Sequence, residues 1–402
     1  SYRIQRKNEY SGTTKNSMVL IDWINCDCSY PKWRSWSASI YGSCNCFSIL
    51  FYFAIDVPKH FHWNLPGNRT TVKIGTVLKN EKQYLAFMIN ENTAISSNEI
   101  NKNFEMQISK TMQGFIAKDF EKYDEIECIL NNVRRGVEDY KLIDLSSIEW
   151  QAPNPDAKKI LGVAFNNKNI RKEVHIDPGC PNYFLKSSSC LIGHNNPILI
   201  RKSYGNTIPE PELCLVIGKT GKDINREKAL DYVFGYSIMN DITSHGMKFS
   251  MDSVAVTRDP KIMKPEFINW RKYGEQDKND LYFVYHTRSK SSDTFGPMGP
   301  WLTTANEINN PNNIRIRAYK NGECYTDDST SSYRFSIEEL ISNASHYFTL
   351  EPGDIISCGT AAKGNKQFPD AHRNILLNEE ECELKINIDG LGTLTNPVKH
   401  TQ

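Results

Sequence analysis

The sequence lacks a long hydrophobic run. Its longest apolar stretch, CFSILFYFAI at residues 46–55, is much shorter than the roughly 20 residues that a membrane-spanning helix needs. The stretch also follows many polar residues, which does not fit a secretory signal peptide. We therefore expect a cytoplasmic protein that has no membrane partner.

An excess of charge of one sign is also lacking. The chain has 48 basic and 47 acidic residues, for a net charge of +1. It contains no basic stripe and no run of five like charges, so nucleic acid is not an expected partner. The 11 cysteines are an odd number. Most stand singly in apolar stretches, as Cys214 and Cys358 do, which favours reduced, buried thiols over disulfides.

Paired cysteines and histidines near the beginning of the chain leave one alternative open. Cys-x-Cys and His-x-His pairs supply enough side chains for a tetrahedral zinc site, although Cys-x-Cys is less specific than Cys-x-x-Cys. Reduced cysteines remain the simpler interpretation. The residues concerned are Cys26, Cys28, Cys44, Cys46, His60 and His62.

Composition divides the chain into three regions. Residues 1–70 form an irregular N-terminal extension of unknown role, rich in Ser, Tyr, Trp and Cys. Residues 71–155 predict a small β-rich domain, because TVKIGTVL and QYLAFMIN have the composition of short strands around a turn. An amphipathic helical stretch follows at 109–130. The Pro-containing segment 153–156 is a plausible boundary, and residues 156–402 form the third region.

Turn and cap patterns characterise this third region. Ser336 and Glu339 have the spacing of a capping box at the start of a helix. Pro352-Gly353-Asp354 turns the chain into an apolar strand, and Asp389-Gly390 between apolar runs is typical of a hairpin. Many short strands with few helices predict a β-dominated α+β domain and not a doubly wound sheet.

The most informative segment is 210–241, EPELCLVIGKTGKDINREKALDYVFGYSIMND. Glu210 and Glu212 are two residues apart in an extended segment, so both side chains leave one face, while the apolar residues 213, 215 and 217 leave the other. Asp241 follows a second apolar run. Neighbouring carboxylates repel each other unless a cation or a proton lies between them, which favours a divalent metal site. The alternative is a solvated acidic strand edge.

Several motifs in the same order along the chain resemble one family. They are the Glu-x-Glu-Leu segment just described, KILGVAFNN (159–167), FLKSSS (184–189), SKSSDTFGPMGPWLTTANEI (289–308) and TLEPGDIISCGTAAKG (349–364). Together they resemble the fumarylacetoacetate hydrolase (FAH) superfamily over about residues 156–399, with weaker similarity back to about residue 71.

The resemblance implies a mixed β-roll catalytic domain that follows the small β-rich domain. It also implies one Mg²⁺ (or Mn²⁺) ion bound by Glu210, Glu212 and Asp241, and a homodimer. The expected substrate is a 2-oxo acid or a 1,3-diketone acid. Lys290 matches the family's active-site lysine, while Gly359 and Thr360 match a loop that holds the substrate carboxylate.

One departure from the family pattern concerns the activation of water. Many relatives have a His–Glu pair for this purpose, but this chain has Ile170 at the histidine position, and isoleucine is not a base. Glu173 remains at the glutamate position and is a candidate catalytic residue. His175 is another candidate, although an ordinary loop histidine is the favoured interpretation. His245, four residues beyond Asp241, replaces the family's arginine and is a third candidate.

The resemblance therefore predicts a metal-dependent enzyme, and most directly a hydrolase that cleaves a C–C bond. Because the usual histidine is missing, a decarboxylase, an isomerase or a hydratase of a related 2-oxo acid remains an alternative. A catalytically silent binding protein of the same family is a third hypothesis. Retention of the three carboxylates and Lys290 argues against that last hypothesis.

Overall fold

The computed structural model describes residues 72–104, 106–137, 140–172, 174, 176–268, 270 and 280–402. The predictions about Glu173, His175, the irregular extension and the six paired cysteines and histidines lie outside these residues. No helix of the described part is long and apolar enough to cross a membrane.

Residues 72–150 contain two strands joined by a tight turn, then a helical stretch. Asn80 and Glu81 have φ values of 50° and 60°, the left-handed conformation of a two-residue hairpin turn. Both predicted strands and the predicted helical stretch are confirmed. The elements are β1 (Lys73–Lys79), β2 (Lys82–Met88), β3 (Thr93–Ser96), α1 (Ser97–Phe104), α2 (Met112–Gly114), a π-helical turn (Phe115–Asp119), α3 (Tyr123–Arg134), β4 (Leu142–Asp144) and β5 (Glu149–Trp150).

The remainder of the chain is rich in short strands. Its elements are β6 (Ile160–Ala164), α4 (Lys168–Arg171), β7 (Asn182–Lys186), β8 (Leu191–Ile192), β9 (Ile198–Arg201), β10 (Thr207–Ile208), β11 (Pro211–Ile217), β12 (Val233–Asn240), β13 (Thr243–Ser244), α5 (His245–Ser250), β14 (Ser253–Val256), α6 (Pro265–Ile268), β15 (Leu281–Val284), α7 (Thr287–Ser291), β16 (Gly296–Thr304), β17 (Arg315–Lys320), β18 (Glu323–Ser329), α8 (Ile337–Tyr347), β19 (Ile355–Thr360), β20 (Glu383–Ile388) and β21 (Gly392–Thr401).

Most of these strands form two larger sheets. A 12-stranded sheet has the order β4-β3-β2-β1-β16-β12-β11-β19-β6-β7, with β5 beside β1 and β8 beside β16. A five-stranded sheet has the order β18-β17-β20-β21-β9. The sheets are mixed, since β19 runs parallel to β6 while β11 and β12 are antiparallel. The predicted β-dominated α+β class is confirmed.

The predicted boundary near residue 155 is crossed by the large sheet. Strand β1 pairs with β16 through Lys73 opposite Thr303 and Ile74 opposite Leu302. Residues Pro66–Gln402 also group as one unit by their contacts. The division into 71–155 and 156–402 therefore stays a prediction about sequence regions.

Strand β11 lies inside the core and is buried on both faces. Leu213, Leu215 and Ile217 belong to one apolar cluster, as their alternation predicts. Cys214 and Val216 point the other way into a second cluster. Every residue of β11 is buried, so Glu212, which shares a face with Cys214 and Val216, must be buried as well. The alternative of a solvated acidic edge does not fit this strand.

The predicted cap and turns are present. Ser336 accepts a hydrogen bond from Glu339 N (3.3 Å) and the Glu339 carboxylate accepts one from Ser336 N (2.8 Å), which is the capping box of α8. Gly353 and Gly390 have φ values of 89° and 81°. Glycine adopts this left-handed conformation without a steric cost, which allows the tight turns before β19 and between β20 and β21.

Candidate metal centre

Three carboxylates meet where two interior strands of the large sheet, β11 and β12, begin and end. Glu210 immediately precedes β11 and Asp241 immediately follows β12. Because the two strands are antiparallel, with Pro211 opposite Asn240, these two ends lie side by side, and Asp241 N donates to Glu210 O at 2.9 Å. Glu212 is one residue inside β11. Oxygen atoms of Glu210, Glu212 and Asp241 all lie within 4.8 Å of one another, as the spacing predicts.

Lys290 reaches this carboxylate cluster from α7. Its Nζ lies 2.6 Å from Glu210 Oε2 and 2.5 Å from Asp241 Oδ2. Burial alone lowers the pKa of Lys290, but the charges of Asp241 and Glu210 outweigh this effect and raise it. The ammonium group is therefore charged at neutral pH. Lys290 therefore lies beside the proposed metal ligands, as its match to the family's active-site lysine implies.

A second ammonium group, from Lys186, was not predicted to belong to the site. Its fully buried Nζ donates to Asp241 Oδ1 at 2.6 Å and to Phe295 O at 3.0 Å, and also to the backbone carbonyl of Lys290. Lys186 therefore fixes both Asp241 and the backbone that carries the Lys290 side chain. The available sequence signal was a lysine at the end of a strand in the family motif FLKSSS.

Glu212 is held from β19, the other neighbour of β11. Ser357 Oγ donates to Glu212 Oε2 at 2.5 Å and Gly359 N donates to the same oxygen at 3.1 Å. Burial, followed by the charges of Asp241 and Glu210, raises the pKa of Glu212 to about 8. For Glu210, burial would raise the pKa, but Lys290 and His372 lead the effects that lower it to about 2.

These residues fit a hard divalent cation. Three carboxylates face two ammonium groups, so the centre holds an excess of negative charge when all three are ionised, and this charge adds to burial in raising the pKa of Glu212. Oxygen ligands and a buried negative charge suit Mg²⁺ or Mn²⁺. A cation near the three oxygen atoms would relieve the repulsion that otherwise favours protonation of Glu212.

His245 lies near the carboxylate cluster, as its position after Asp241 predicts. It is the first residue of α5, which Ser244 caps by accepting a hydrogen bond from Met247 N at 3.0 Å. The half-buried ring packs against Phe249, with 5.9 Å between ring centroids. Burial lowers the pKa of His245, while the nearby charge of Glu210 opposes this change. A catalytic role for His245 stays a prediction.

The loop predicted to hold a substrate carboxylate instead makes contacts within the protein. The N–H group of Gly359 is directed at Glu212, and Thr360 Oγ1 donates to Ala361 O at 3.3 Å. Gly359 has a φ of 119°, and an added Cβ would lie 2.7 Å from Asn166 Cβ. The geometry of the chain alone therefore requires glycine here, and substrate binding by Gly359 and Thr360 stays a prediction.

The segment that carries Ile170 is anchored close to the end of β19. Asn167 caps α4 through Asn169 N at 2.9 Å, and its Nδ2 donates to Thr360 O at 3.0 Å. Ile170 itself is buried, with 8% of its surface exposed. The residue at the family's histidine position is thus an apolar side chain in a packed environment.

More basic side chains surround the carboxylates than the sequence motifs revealed. Burial lowers the pKa of Lys248, and the charge of Glu210 opposes this effect. Burial also lowers the pKa of His286, with smaller effects from Lys248, Lys290, Asp252 and Asp241. His372 is fully buried and also interacts with Glu210. These three side chains place further hydrogen-bonding groups around the carboxylates.

The segment between α5 and α7 helps to support Lys290. Strands β14 and β15 pair as a separate antiparallel ribbon. The buried carboxylate of Asp252 accepts a hydrogen bond from Ser289 N at 2.8 Å and one from Arg288 at 3.3 Å. Asp252 therefore anchors the turn of α7 that presents Lys290.

Comparison with known proteins identifies the family. Residues 159–399 match the family described as fumarylacetoacetate (FAA) hydrolase, C-terminal, and the chain belongs to this family. An uncharacterized protein of Staphylococcus aureus strain USA300 is 33% identical over 260 residues, which make up 64% of this chain and 74% of that protein. The resemblance of the sequence motifs is thus confirmed.

Solved structures show the same fold. Maleylpyruvate hydrolase from Sphingobium sp. SYK-6, in complex with manganese(II) and pyruvate, is 22% identical with a TM-score of 0.59, covering 82% of this chain and 100% of that one. The fumarylacetoacetate hydrolase of Exiguobacterium antarcticum is 21% identical with a TM-score of 0.58 and the same coverage. A 2-hydroxyhepta-2,4-diene-1,7-dioate isomerase from Mycobacterium marinum is 23% identical with a TM-score of 0.54, covering 82% and 99%. Proteins of this fold therefore include hydrolases and isomerases.

Proposed function

We propose that this protein is a metal-dependent hydrolase that cleaves a C–C bond in a 2-oxo acid or a 1,3-diketone acid. The observation that carries the proposal is the meeting of Glu210, Glu212 and Asp241 within 4.8 Å, beside the buried ammonium of Lys290. Folding alone does not require three carboxylates in a core, since burial of like charges is unfavourable.

Mg²⁺ or Mn²⁺ held by the three carboxylates would act as a Lewis acid for an enolate that forms when the C–C bond breaks. Lys186 and Ser357 hold two of these carboxylates in place. Lys290 supplies a charged donor for a substrate oxygen, and such preorganised donors stabilise negative charge in a transition state. Lys248, which also interacts with Glu210, would suit the carboxylate of a 2-oxo acid.

A second candidate function is decarboxylation, isomerisation or hydration of a related 2-oxo acid. The buried Ile170 favours it, because no imidazole is available at that position to activate water. The names of the structural neighbours include isomerases as well as hydrolases. Both candidates share the metal centre and the enolate, and they differ in the need for a water-derived nucleophile. A cytoplasmic location and a homodimer remain predictions.

The test is an assay of the purified 402-residue protein with Mg²⁺ or Mn²⁺ against acylpyruvates, oxaloacetate and 2-oxo dienoates. Metal-dependent release of pyruvate and a carboxylic acid from an acylpyruvate, abolished by EDTA, is the expected result. Turnover of oxaloacetate or a dienoate without acylpyruvate hydrolysis would favour the second candidate. Metal binding without turnover of any of these compounds would favour a silent binding protein.

A further inference from the structure

A buried histidine near the metal centre, His372, has a ring nitrogen that makes no hydrogen bond within the described part of the chain. His372 lies in a 3₁₀ turn, Ala371–Asn374, beyond β19. The side chain is 2% exposed, and its buried Nδ1 has no hydrogen-bond partner among the described residues. An unpaired polar atom in the interior has an energetic cost, so such an atom beside a candidate active site indicates a functional role.

Hydrogen bonds place the loop that contains His372 against the chain around Glu210. Before the histidine, Ala361 N donates to Pro211 O at 2.8 Å. After it, Leu377 N donates to Thr207 O at 2.7 Å. The loop is thus tied to residues on both sides of Glu210 in the chain, to Pro211 after it and to Thr207, the first residue of β10, before it.

The electrostatic surroundings agree with this placement. Burial is the main reason why the pKa of His372 falls to about 4, and Glu210 is the charged group that acts most strongly on the ring. Arg373 and Lys290 act more weakly. The ring is therefore neutral at pH 7, and a neutral imidazole can accept a proton.

We propose that His372 is the residue that exchanges a proton with C3 of the bound 2-oxo acid. The inference rests on the proposed function and deepens it. The C3–H bond breaks and its proton moves to Nδ1 of His372. The electron pair of that bond forms the C2–C3 double bond, while the carbonyl pair moves to the C2 oxygen to give the enolate. The reverse transfer protonates an enolate that bond cleavage has left.

Other groups at the centre suit this role less well. Lys290 is charged and already bonded to two carboxylates, so it has no lone pair with which to accept a proton. His245 has only a half-buried ring. His286 is the closest competitor because its Nδ1 is also buried without a partner in the described part of the chain. Its ring is only partly buried, however, and packs against Phe184 at 6.0 Å.

The experiment compares five 402-residue proteins: wild type, His372→Asn, His372→Gln, His286→Asn and a control variant. Each is loaded with Mn²⁺, and exchange of the C3 protons of pyruvate for deuterium in D₂O is followed by NMR. Mn²⁺ affinity and the affinity of the loaded protein for oxalate, an enolate analogue, are measured separately. His194→Asn is the matched control, because His194 is another histidine whose pKa burial lowers to about 4, and it belongs to no part of this centre.

Both His372 variants are expected to lose about 100-fold or more of the exchange rate constant, the usual effect of removing a positioned acid–base group. Their affinities for Mn²⁺ and oxalate should stay within about threefold of wild type, since general acid–base catalysis contributes to rate and not to metal binding. His194→Asn should behave as wild type in all measurements.

Three results would overturn the inference. Exchange that persists in both His372 variants, or that is lost in His286→Asn alone, would assign the proton transfer elsewhere. Loss of Mn²⁺ binding in both His372 variants would show a structural role. A wild-type protein that binds Mn²⁺ and oxalate but exchanges no pyruvate protons would refute the enolate chemistry itself. This third result would refute the proposed function, whereas the first two would refute only the role of His372.

Discussion

The ammonium of Lys290 lies 2.5 Å from Asp241 Oδ2, although the two residues are 49 positions apart in the chain. Lys290 also bonds to Glu210 at 2.6 Å. A residue implied to be catalytic is therefore bonded to two of the proposed metal ligands. Its positive charge and that of a bound cation would repel each other at short range.

This relationship predicts opposite effects of Lys290→Met on metal binding and on turnover. Removal of the competing charge should raise Mn²⁺ affinity by about tenfold, or 1.4 kcal/mol. Loss of the donor to the substrate should lower turnover by about 100-fold or more. Titration calorimetry with Mn²⁺ and the acylpyruvate assay measure the two effects.

Lys159→Met is the matched control, because Lys159 also bonds to two carboxylates, Glu351 at 3.0 Å and Asp354 at 2.9 Å. It should change neither property. Weaker Mn²⁺ binding by Lys290→Met would contradict the competition between the ammonium group and the metal.

Glu212→Ala is expected to abolish metal-dependent thermal stabilisation, because it removes a ligand from the centre of the cluster. Glu212→Gln should do the same. It should also raise Tm without metal, because an amide avoids both the cost of burying a carboxylate and the repulsion by Asp241 and Glu210, which together raise the pKa of Glu212. Thermal unfolding with and without Mg²⁺ or Mn²⁺ measures both effects. Glu351→Gln, at a half-exposed carboxylate, is the control. A metal-induced shift of wild-type size in Glu212→Ala would exclude this residue as a ligand.

Sequence patterns identified the parts of the centre that lie close together in the chain. The antiparallel neighbours β11 and β12 are joined by a short connection, so Glu210, Glu212 and Asp241 belong to one recognisable segment. The capping box at Ser336 is local for the same reason. Local periodicity and turn composition were sufficient for these features.

Other parts of the centre and of the sheet depend on contacts between segments that are distant in the chain, and local sequence patterns do not specify such contacts. Lys186 reaches Asp241 across 55 positions, and Ser357 reaches Glu212 across 145. The position of His372 depends on how a long loop after β19 folds back onto Thr207. The pairing of β1 with β16 likewise joins strands more than 200 residues apart. Sheet order and tertiary packing decide these positions.

A protein that begins at Thr71 should fold and retain the metal centre. Residues Pro66–Gln402 group as one unit, and every motif of the family match lies beyond residue 71. Val72 is fully buried and its carbonyl accepts a hydrogen bond from Thr304 N at 3.3 Å, so the truncation must not extend past this residue. The measurements are circular dichroism and the Mn²⁺-induced shift in Tm. Insoluble protein, or loss of the shift, would show that residues 1–70 are needed for folding or for the site.

The free energy of unfolding should fall as the pH decreases from about 6.5 to 4, in part through His194. Burial lowers the pKa of His194 from 6.5 to about 4, and its Nδ1 accepts a hydrogen bond from Thr395 N at 3.0 Å. Within this range the unfolded chain binds a proton that the folded protein does not, so acid favours unfolding. Above pH 6.5 both states are neutral at this residue and its contribution is constant.

His194→Asn keeps a hydrogen-bond acceptor near the Nδ1 position but cannot titrate. The loss of stability between about pH 7.5 and 5 should therefore be smaller in the variant than in wild type, by about 2 kcal/mol. Urea unfolding at the two pH values gives the comparison. Equal losses in the two proteins would mean that His194 protonates in the folded state with its ordinary pKa.

The final prediction concerns water activation. Ile170 occupies the family's histidine position on α4, and Asn167 ties the start of this helix to Thr360 at the end of β19. Ile170→His should raise the rate of acylpyruvate hydrolysis at least tenfold, because a positioned imidazole contributes about 10²–10⁴ to such reactions. Mn²⁺ affinity should not change. Ile170→Leu, which keeps the site apolar, is the control and should hydrolyse as slowly as wild type. The reasoning would fail if the wild-type protein hydrolysed acylpyruvates rapidly and retained that rate after separate substitutions of Glu173, His175 and His245.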